Sequence, residues 1–117
     1  MRRQILEPSF WPVPEWHHDF GDAQAELEHL RAFASALLAA MPEARVDLDA
    51  PEPGLMYLAV ETPHGTLAEV YSIESSTSPR QRRYGLFFAP GTPNEREVYQ
   101  EALVDAVTCF TDAASEQ

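Results

Sequence analysis

The sequence predicts an α+β fold, a two-layer sandwich in which an antiparallel sheet of three to four strands is flanked by an N-terminal and a C-terminal helix (α-β-β-β-β-α). Apolar residues recur at helical spacing over residues 22–41 and 93–114. Between them, residues 45–89 contain short apolar runs separated by turn residues, which is typical of antiparallel strands. Short connections make successive strands neighbours in the sheet. We expect both helices to pack on one face of that sheet, in a single domain spanning residues 1–117.

Residues 1–21 are expected to form an extended arm. Prolines at positions 8, 12 and 14 exclude a helix interior there, because proline lacks an amide hydrogen and clashes with the preceding turn. The arm also carries Trp11 and Trp16, which are too apolar for a free tail. Two alternatives follow: the aromatic side chains cover their own domain, or they anchor the arm on a partner.

The first helix is predicted over residues 22–41. Asp22 is a suitable N-cap, and Pro42 marks the end of the helix. Its apolar stripe consists of Leu27, Leu30, Ala34, Leu37, Leu38 and Met41.

Strands are predicted in the segment between the helices. The first alternates apolar and acidic residues, including Asp47 and Asp49, as an edge strand does. Turn residues at 51–54 and 62–65 separate it from the next two. The predicted strands cover residues 45–49, 55–61, 66–74 and 84–89.

The last helix is predicted over residues 93–114. Thr92 is a suitable N-cap, Pro93 suits the first helical position, and Glu95 resembles the acid of a capping box. On such a helix an acidic row would lie along one side, formed by Glu97, Glu101 and Asp105. Like charges four residues apart repel, so a row without interleaved basic residues favours a role in attracting a basic target.

The predicted strands carry apolar residues at both odd and even positions, and therefore on both faces of the sheet. Leu67, Tyr71 and Ile73 point one way, whereas Ala68 and Val70 point the other. Because two helices can cover only one face of the sheet, the other face requires the arm, a second copy of the chain or a partner.

Charge dominates the composition. The chain has 19 acidic residues against eight basic ones, for a net charge of −11, and every basic residue is arginine. Such a surface repels nucleic acid and anionic membranes and attracts basic protein surfaces. The single cysteine, Cys109, permits no internal disulfide, and no signal-peptide core or membrane-length apolar run is present. We therefore expect a bacterial cytoplasmic protein.

No catalytic or cofactor motif is found, so neither an enzyme nor a cofactor or metal is predicted. The group His17, His18 and Asp19, followed by Asp22, Glu26 and His29, lacks the further ligands that a di-metal site needs. Cys109 lies near a predicted helix C-terminus, where nothing lowers a thiol pKa, and is interpreted as a structural thiol.

These observations predict a non-catalytic acidic module that binds a basic protein. In size, acidity and helix–sheet–helix layout the chain is similar to small bacterial immunity proteins that neutralise toxins, and somewhat to acidic secretion chaperones, which dimerise; no motif is shared. The remaining alternative is a small-ligand-binding protein or enzyme with a pocket between sheet and arm. The candidate partner-binding residues are Glu97, Glu101, Asp105, Asp47, Asp49, Trp11 and Trp16, and the candidate anion-binding residues are Arg80, Arg82 and Arg83.

Overall fold

The computed structural model describes residues 23–52, 54–63, 65–74 and 82–115. Helix α1 (Ala23–Ala40) is followed by five strands and helix α2 (Leu103–Ser115). The strands are β1 (Arg45–Glu52), β2 (Leu55–Glu61), β3 (Leu67–Glu74), β4 (Arg82–Phe88) and β5 (Arg96–Gln100). They form one antiparallel sheet in sequence order, β1-β2-β3-β4-β5. The α+β class is confirmed, with one strand more than predicted. The predicted arm, residues 1–21, lies outside the described residues.

The helix predicted over residues 93–114 is wrong in its first half, because residues 96–100 form β5. The chain reverses direction after β4 through two residues with left-handed backbone, Ala89 (φ 51°) and Gly91 (φ 76°). The Thr92 hydroxyl accepts a hydrogen bond from the Asn94 amide (3.2 Å) and donates one to the Ala89 carbonyl (2.7 Å), so the apparent helix cap closes a turn instead. Pairing with β5 then gives hydrogen-bond partners to the backbone N–H and C=O groups along the edge of β4.

Both helices pack on the same face of the sheet, as predicted. Helix α1 contacts β2 and β3, α2 contacts β4 and β5, and the helices contact each other. Phe110 of α2 joins these layers, with its ring centroid 5.5 Å from that of Phe33 in α1 and 4.9 Å from that of Phe88 in β4. Within the described residues, no helix is long and apolar enough to cross a membrane.

The register sorts the strand residues onto two faces. Leu48, Leu58, Val70, Leu86 and Val98 are cross-strand neighbours in one row that faces the helices. The three central members of this row are fully buried. Adjacent residues along each strand point to the opposite side, which is not covered by either helix. We call this side the outer face; it carries the odd-numbered residues of segments 45–49, 57–61, 67–73, 83–87 and 97–99.

The joining role of Phe110 predicts a large loss of stability for Phe110→Ala. Removing a fully buried ring that touches both α1 and β4 should lower the free energy of unfolding by about 3–5 kcal/mol. Urea unfolding followed by far-UV circular dichroism measures this change. Val104→Ala is the control, because Val104 is 69% exposed and should change stability by less than about 0.5 kcal/mol. Equal losses for the two variants would contradict the packing of α2 described above.

Candidate functional site

A row of aromatic side chains crosses the outer face. The rings of Tyr57 and Tyr71 stack with their centroids 5.1 Å apart. The Tyr71 ring meets Phe87 edge-on at 5.2 Å, and Phe87 meets Tyr99 edge-on at 6.3 Å. These rings are partly exposed, and Tyr99 is 44% exposed. Four strands thus contribute to one continuous aromatic surface.

Gly85 lies beneath this surface and allows the rings to close over it. A Cβ at this position would lie 3.3 Å from Cε2 of Phe87 and 3.4 Å from Cε1 of Tyr99, closer than rings normally approach a methyl group. Glycine here therefore lets the aromatic row continue from β4 to β5 without a gap.

Each tyrosine of the row is hydrogen-bonded to a carboxylate on the same face. The Tyr57 hydroxyl donates to Oδ2 of Asp49 (2.9 Å), and the Tyr71 hydroxyl donates to Oε1 of Glu69 (3.1 Å). At the other end of the row, the Tyr99 hydroxyl donates to Oε2 of Glu97 (3.2 Å). Each of these tyrosine hydroxyls is therefore paired with an acid of the same face.

These hydrogen bonds also affect the titration of two of the tyrosines. Burial, together with the Glu69 carboxylate, raises the pKa of Tyr71 to about 12. The hydrogen bond to Asp49 is the main cause that raises the pKa of Tyr57. Both phenols are protonated donors at neutral pH, as ordinary tyrosines also are, and their oxygens add no negative charge to the face.

A shallow depression of about 260 Å³ opens on the outer face next to the tyrosines. Ala59 forms part of its lining and is flanked in the register by Asp47 of β1 and Glu69 of β3. Further along, Glu61 lines it together with Arg45, whose guanidinium Nη1 lies 4.0 Å from Oε2 of Glu61. Three acids, Asp47, Glu61 and Glu69, and one base, Arg45, supply the charged groups of this lining.

A polar cluster lies on the opposite side of the sheet, beneath α1. Nε of Arg82 donates to Oγ of Ser72 (2.7 Å), and Nη2 of Arg82 lies 3.4 Å from Oε1 of Glu26. Oγ of Ser72 is also 2.7 Å from Nδ1 of His29, whose ring stacks on Tyr84 with centroids 3.8 Å apart. The Tyr84 hydroxyl donates to the backbone carbonyl of His29 (2.8 Å). The cluster therefore ties α1 to β3 and β4.

The electrostatics of this cluster suit a structural role. Burial, and then the nearby Arg82 charge, lower the pKa of His29 to about 4. Because arginine can only donate, the Ser72 hydroxyl keeps its own hydrogen for the neutral Nδ1. A serine nucleophile needs an accessible hydroxyl and a base oriented by a third group, whereas Ser72 is 7% exposed. The arrangement binds helix to sheet, and a cavity of about 640 Å³, lined in part by His29 and Arg82, opens beside it.

The structure separates the residues of the predicted acidic row. Glu97 lies on the outer face in β5, Glu101 lies in the turn before α2, and Asp105 lies in the first turn of α2. A single helical row is wrong because residues 96–100 form a strand. Asp47 and Asp49 lie where the sequence predicts, on the edge strand β1, and both point to the outer face.

Two of the arginines considered for anion binding, Arg82 and Arg83, do not converge. Arg82 points toward α1, whereas the guanidinium carbon of its neighbour Arg83 lies 4.7 Å from the centroid of the Tyr99 ring on the outer face. Successive strand residues point to opposite sides, so these two groups cannot hold one anion. Arg80, Trp11 and Trp16 lie outside the described residues, and their predicted roles stay predictions.

Sequence reasoning missed the tyrosines and Glu69 as site residues. A usable signal was present, because Glu-Val-Tyr occurs at both 69–71 and 97–99. In a strand this spacing places the acid and the tyrosine on one face. The second Glu-Val-Tyr segment, at 97–99, did not show this pattern because residues 93–114 were predicted to form a helix.

Metal ligation and thiol chemistry find no support in the described part of the chain. There, no three His, Cys, Asp or Glu side chains are grouped as metal ligands. Cys109 is partly buried, and its Sγ accepts a hydrogen bond from Nε2 of Gln100 (3.4 Å). Comparison of the chain with protein-family models, curated proteins and solved structures found no match.

The lowered pKa of His29 predicts a pH-dependent stability. Between its folded value of about 4 and an unfolded value of about 6.5, the unfolded chain binds more protons, so stability falls as pH falls through this window. After a discount for solvent screening, His29 should account for about 1 kcal/mol of the loss between pH 7.5 and pH 5. His29→Asn, which keeps an acceptor for Ser72, should lose less stability over the same range. Urea unfolding of both proteins at both pH values tests this, and an identical pH dependence would contradict it.

Proposed function

We propose that this protein is a non-catalytic binding module whose outer face binds a basic surface of a partner protein. One observation carries the proposal: aromatic rings and carboxylates are interleaved on the face of the sheet that neither helix covers. Partly exposed tyrosines held in place by hydrogen bonds suit an interface, because they lose little conformational freedom on binding.

Charge favours a basic partner over a second copy of the chain. The outer face presents the carboxylates of Asp47, Asp49, Glu61, Glu69 and Glu97 against the guanidinium groups of Arg45 and Arg83. Two such faces brought together would repel each other. A basic surface would instead be attracted, and the net charge of −11 would speed its approach at low ionic strength.

Within this class we propose a bacterial inhibitor or immunity protein that acts in the cytoplasm by covering a basic surface of a toxin or effector. Support comes from the small size, the acidity and the placement of the carboxylates on one face. A secretion-chaperone dimer through this face is disfavoured by the repulsion described above. A ligand pocket between sheet and arm involves residues outside those described.

The experiment that tests the function is native mass spectrometry of the tagged protein purified from its own host. We expect a stoichiometric basic protein to be retained at low salt and lost at high salt, because charge pairs at an exposed interface are screened. Replacing Glu69 and Glu97 together by Gln should weaken binding of that protein at least about tenfold, or about 1.4 kcal/mol. Glutamine preserves an acceptor for each tyrosine, so the rings should keep their positions.

The matched control carries Glu43→Gln and Asp112→Asn, two exposed residues outside the outer face. It has the same net charge as the test variant and should retain the partner. Equal loss in both variants would contradict a localised site. A bare monomer or homodimer, or one that carries a small molecule, would contradict the proposed function itself.

A further inference from the structure

We infer that the cavity beside the polar cluster of Ser72, His29 and Arg82 is a second binding site, which takes a small neutral molecule that carries an amide group. The cavity has a volume of about 640 Å³, and pockets of this size in proteins hold small molecules. It opens beside α1, on the helix side of the sheet. The site is therefore separate from the outer face, and it does not depend on the proposed function.

Three parts of the chain meet at the cavity. Ala25, Glu28 and His29 lie on one side of the first turns of α1, because residues three and four apart share a helix face. Arg82 begins β4, and Glu101 lies in the turn before α2. Helix α1 packs on β2, β3 and α2, so the hydrophobic core holds these lining residues in position relative to one another.

Arg82 offers a guanidinium that is held in place and has one nitrogen available. Its Nε donates to Oγ of Ser72 (2.7 Å), and its Nη2 donates to the carbonyl of Ser72 (3.0 Å) and lies 3.4 Å from Oε1 of Glu26. None of the described residues accepts a hydrogen bond from Nη1, and this nitrogen is not enclosed by the protein. Two nitrogens therefore fix the group, and the third is open to a ligand.

The ring of His29 supplies a second donor beside the first. Its Nδ1 is 2.7 Å from the same Ser72 oxygen that Arg82 binds, so Nδ1 and the arginine Nε are at most twice that distance apart. Burial, and then the Arg82 charge, lower the pKa of His29 to about 4, so the ring is neutral at neutral pH. Because the Ser72 hydroxyl donates to Nδ1, the ring hydrogen is on Nε2. Among the described residues Nε2 has no acceptor, and it is not enclosed by the protein.

The charges around these donors favour a neutral ligand over an anion. Arg82 is paired with Glu26, and Glu28 is paired with Arg31 (3.0 Å). Glu101 adds a third acid, so the charged groups of the site carry one more negative than positive charge. An anion would be repelled by this excess and by the net charge of −11 on the chain. A neutral carbonyl oxygen accepts the same hydrogen bonds without that repulsion.

Glu28 favours an amide over a ketone or an ester. Its neighbours on α1 donate hydrogen bonds to Oε1, and none of the described residues donates to Oε2. An amide carries N–H donors beside its carbonyl oxygen. The oxygen can accept from Arg82 and His29 while an N–H donates to Oε2 of Glu28. Ala25 contributes only a methyl group to the lining, which leaves room for the remainder of the molecule.

The test compares three ligands of the same shape, benzamide, benzoate and benzamidinium, each titrated into the full chain and followed by ¹H–¹⁵N NMR. Benzamide offers an acceptor and donors, benzoate offers acceptors alone, and benzamidinium offers donors alone. We expect benzamide to bind at least about fivefold more tightly than either ion, a difference of about 1 kcal/mol. The largest shifts should occur at the side-chain Nε–H of Arg82, at the ring nitrogens of His29 and at the backbone amides of Ala25 and Glu28.

Two variants test the assignment to this cavity. Ala25→Leu enlarges a lining residue without changing any charge, so it should weaken benzamide binding at least about tenfold, or about 1.4 kcal/mol. Ala32→Leu is the matched control, because Ala32 is also exposed on α1 and lies outside the lining; it should bind benzamide as the unmodified chain does. Glu28→Ala removes an acceptor and a negative charge, so it should reduce the preference for benzamide over benzoate. Unchanged thermal unfolding of each variant shows that the fold is retained.

The outcomes separate this inference from the proposed function. Benzoate binding as tightly as benzamide would overturn the neutral amide as the ligand. Equal effects of Ala25→Leu and Ala32→Leu, or shifts confined to other surfaces, would overturn the assignment to the cavity. The absence of benzamide binding up to its solubility limit would overturn the inference as a whole. Each of these results leaves the outer face unaffected, and the host partner experiment decides the proposed function by itself.

Discussion

The alternation of side chains across the five-stranded sheet is the constraint on which the other features depend. Leu58, Val70 and Leu86, cross-strand neighbours at the centre of one row, are fully buried against the helices. Since the side-chain period of a strand is two, this row forces the residues beside it onto the outer face. A register slip of one residue would bury Glu69 and expose Val70. The hydrophobic core therefore maintains the arrangement of the candidate site, although it shares no side chain with it.

Strand β4 connects the two faces most directly. Arg82 extends toward α1 and holds Ser72, while its neighbour Arg83 packs over Tyr99 on the outer face. Two residues farther along, Gly85 gives the aromatic rings room to meet. The docking of α1 and the order of the aromatic row thus depend on one short segment. A change in the pairing of β4 would disturb both.

The outer face combines groups that disfavour each other in the free protein. Carboxylates that share the outer face repel one another at a distance, although the register places none of them directly opposite another. Hydrogen bonds from the tyrosine hydroxyls offset part of this cost and hold the acids in position. A basic partner would relieve the remaining repulsion as it binds. In the proposed function, the face would be organised before a basic partner binds.

Sequence periodicity was sufficient for the α+β class, the first helix, the hairpin between β2 and β3, and the edge position of Asp47 and Asp49, because these depend on local patterns. It failed at residues 92–100. Residues 96–100 fit both a helical and a strand period, and Thr92 and Pro93 resemble the start of a helix. Only tertiary structure could decide between helix and strand here, because the deciding contact is pairing with the edge of β4.

The candidate site depended on the same choice between helix and strand at residues 96–100. Glu69 and Tyr71 are separated from Glu97 and Tyr99 by more than twenty residues of sequence, and only the register of β3, β4 and β5 places them on one surface.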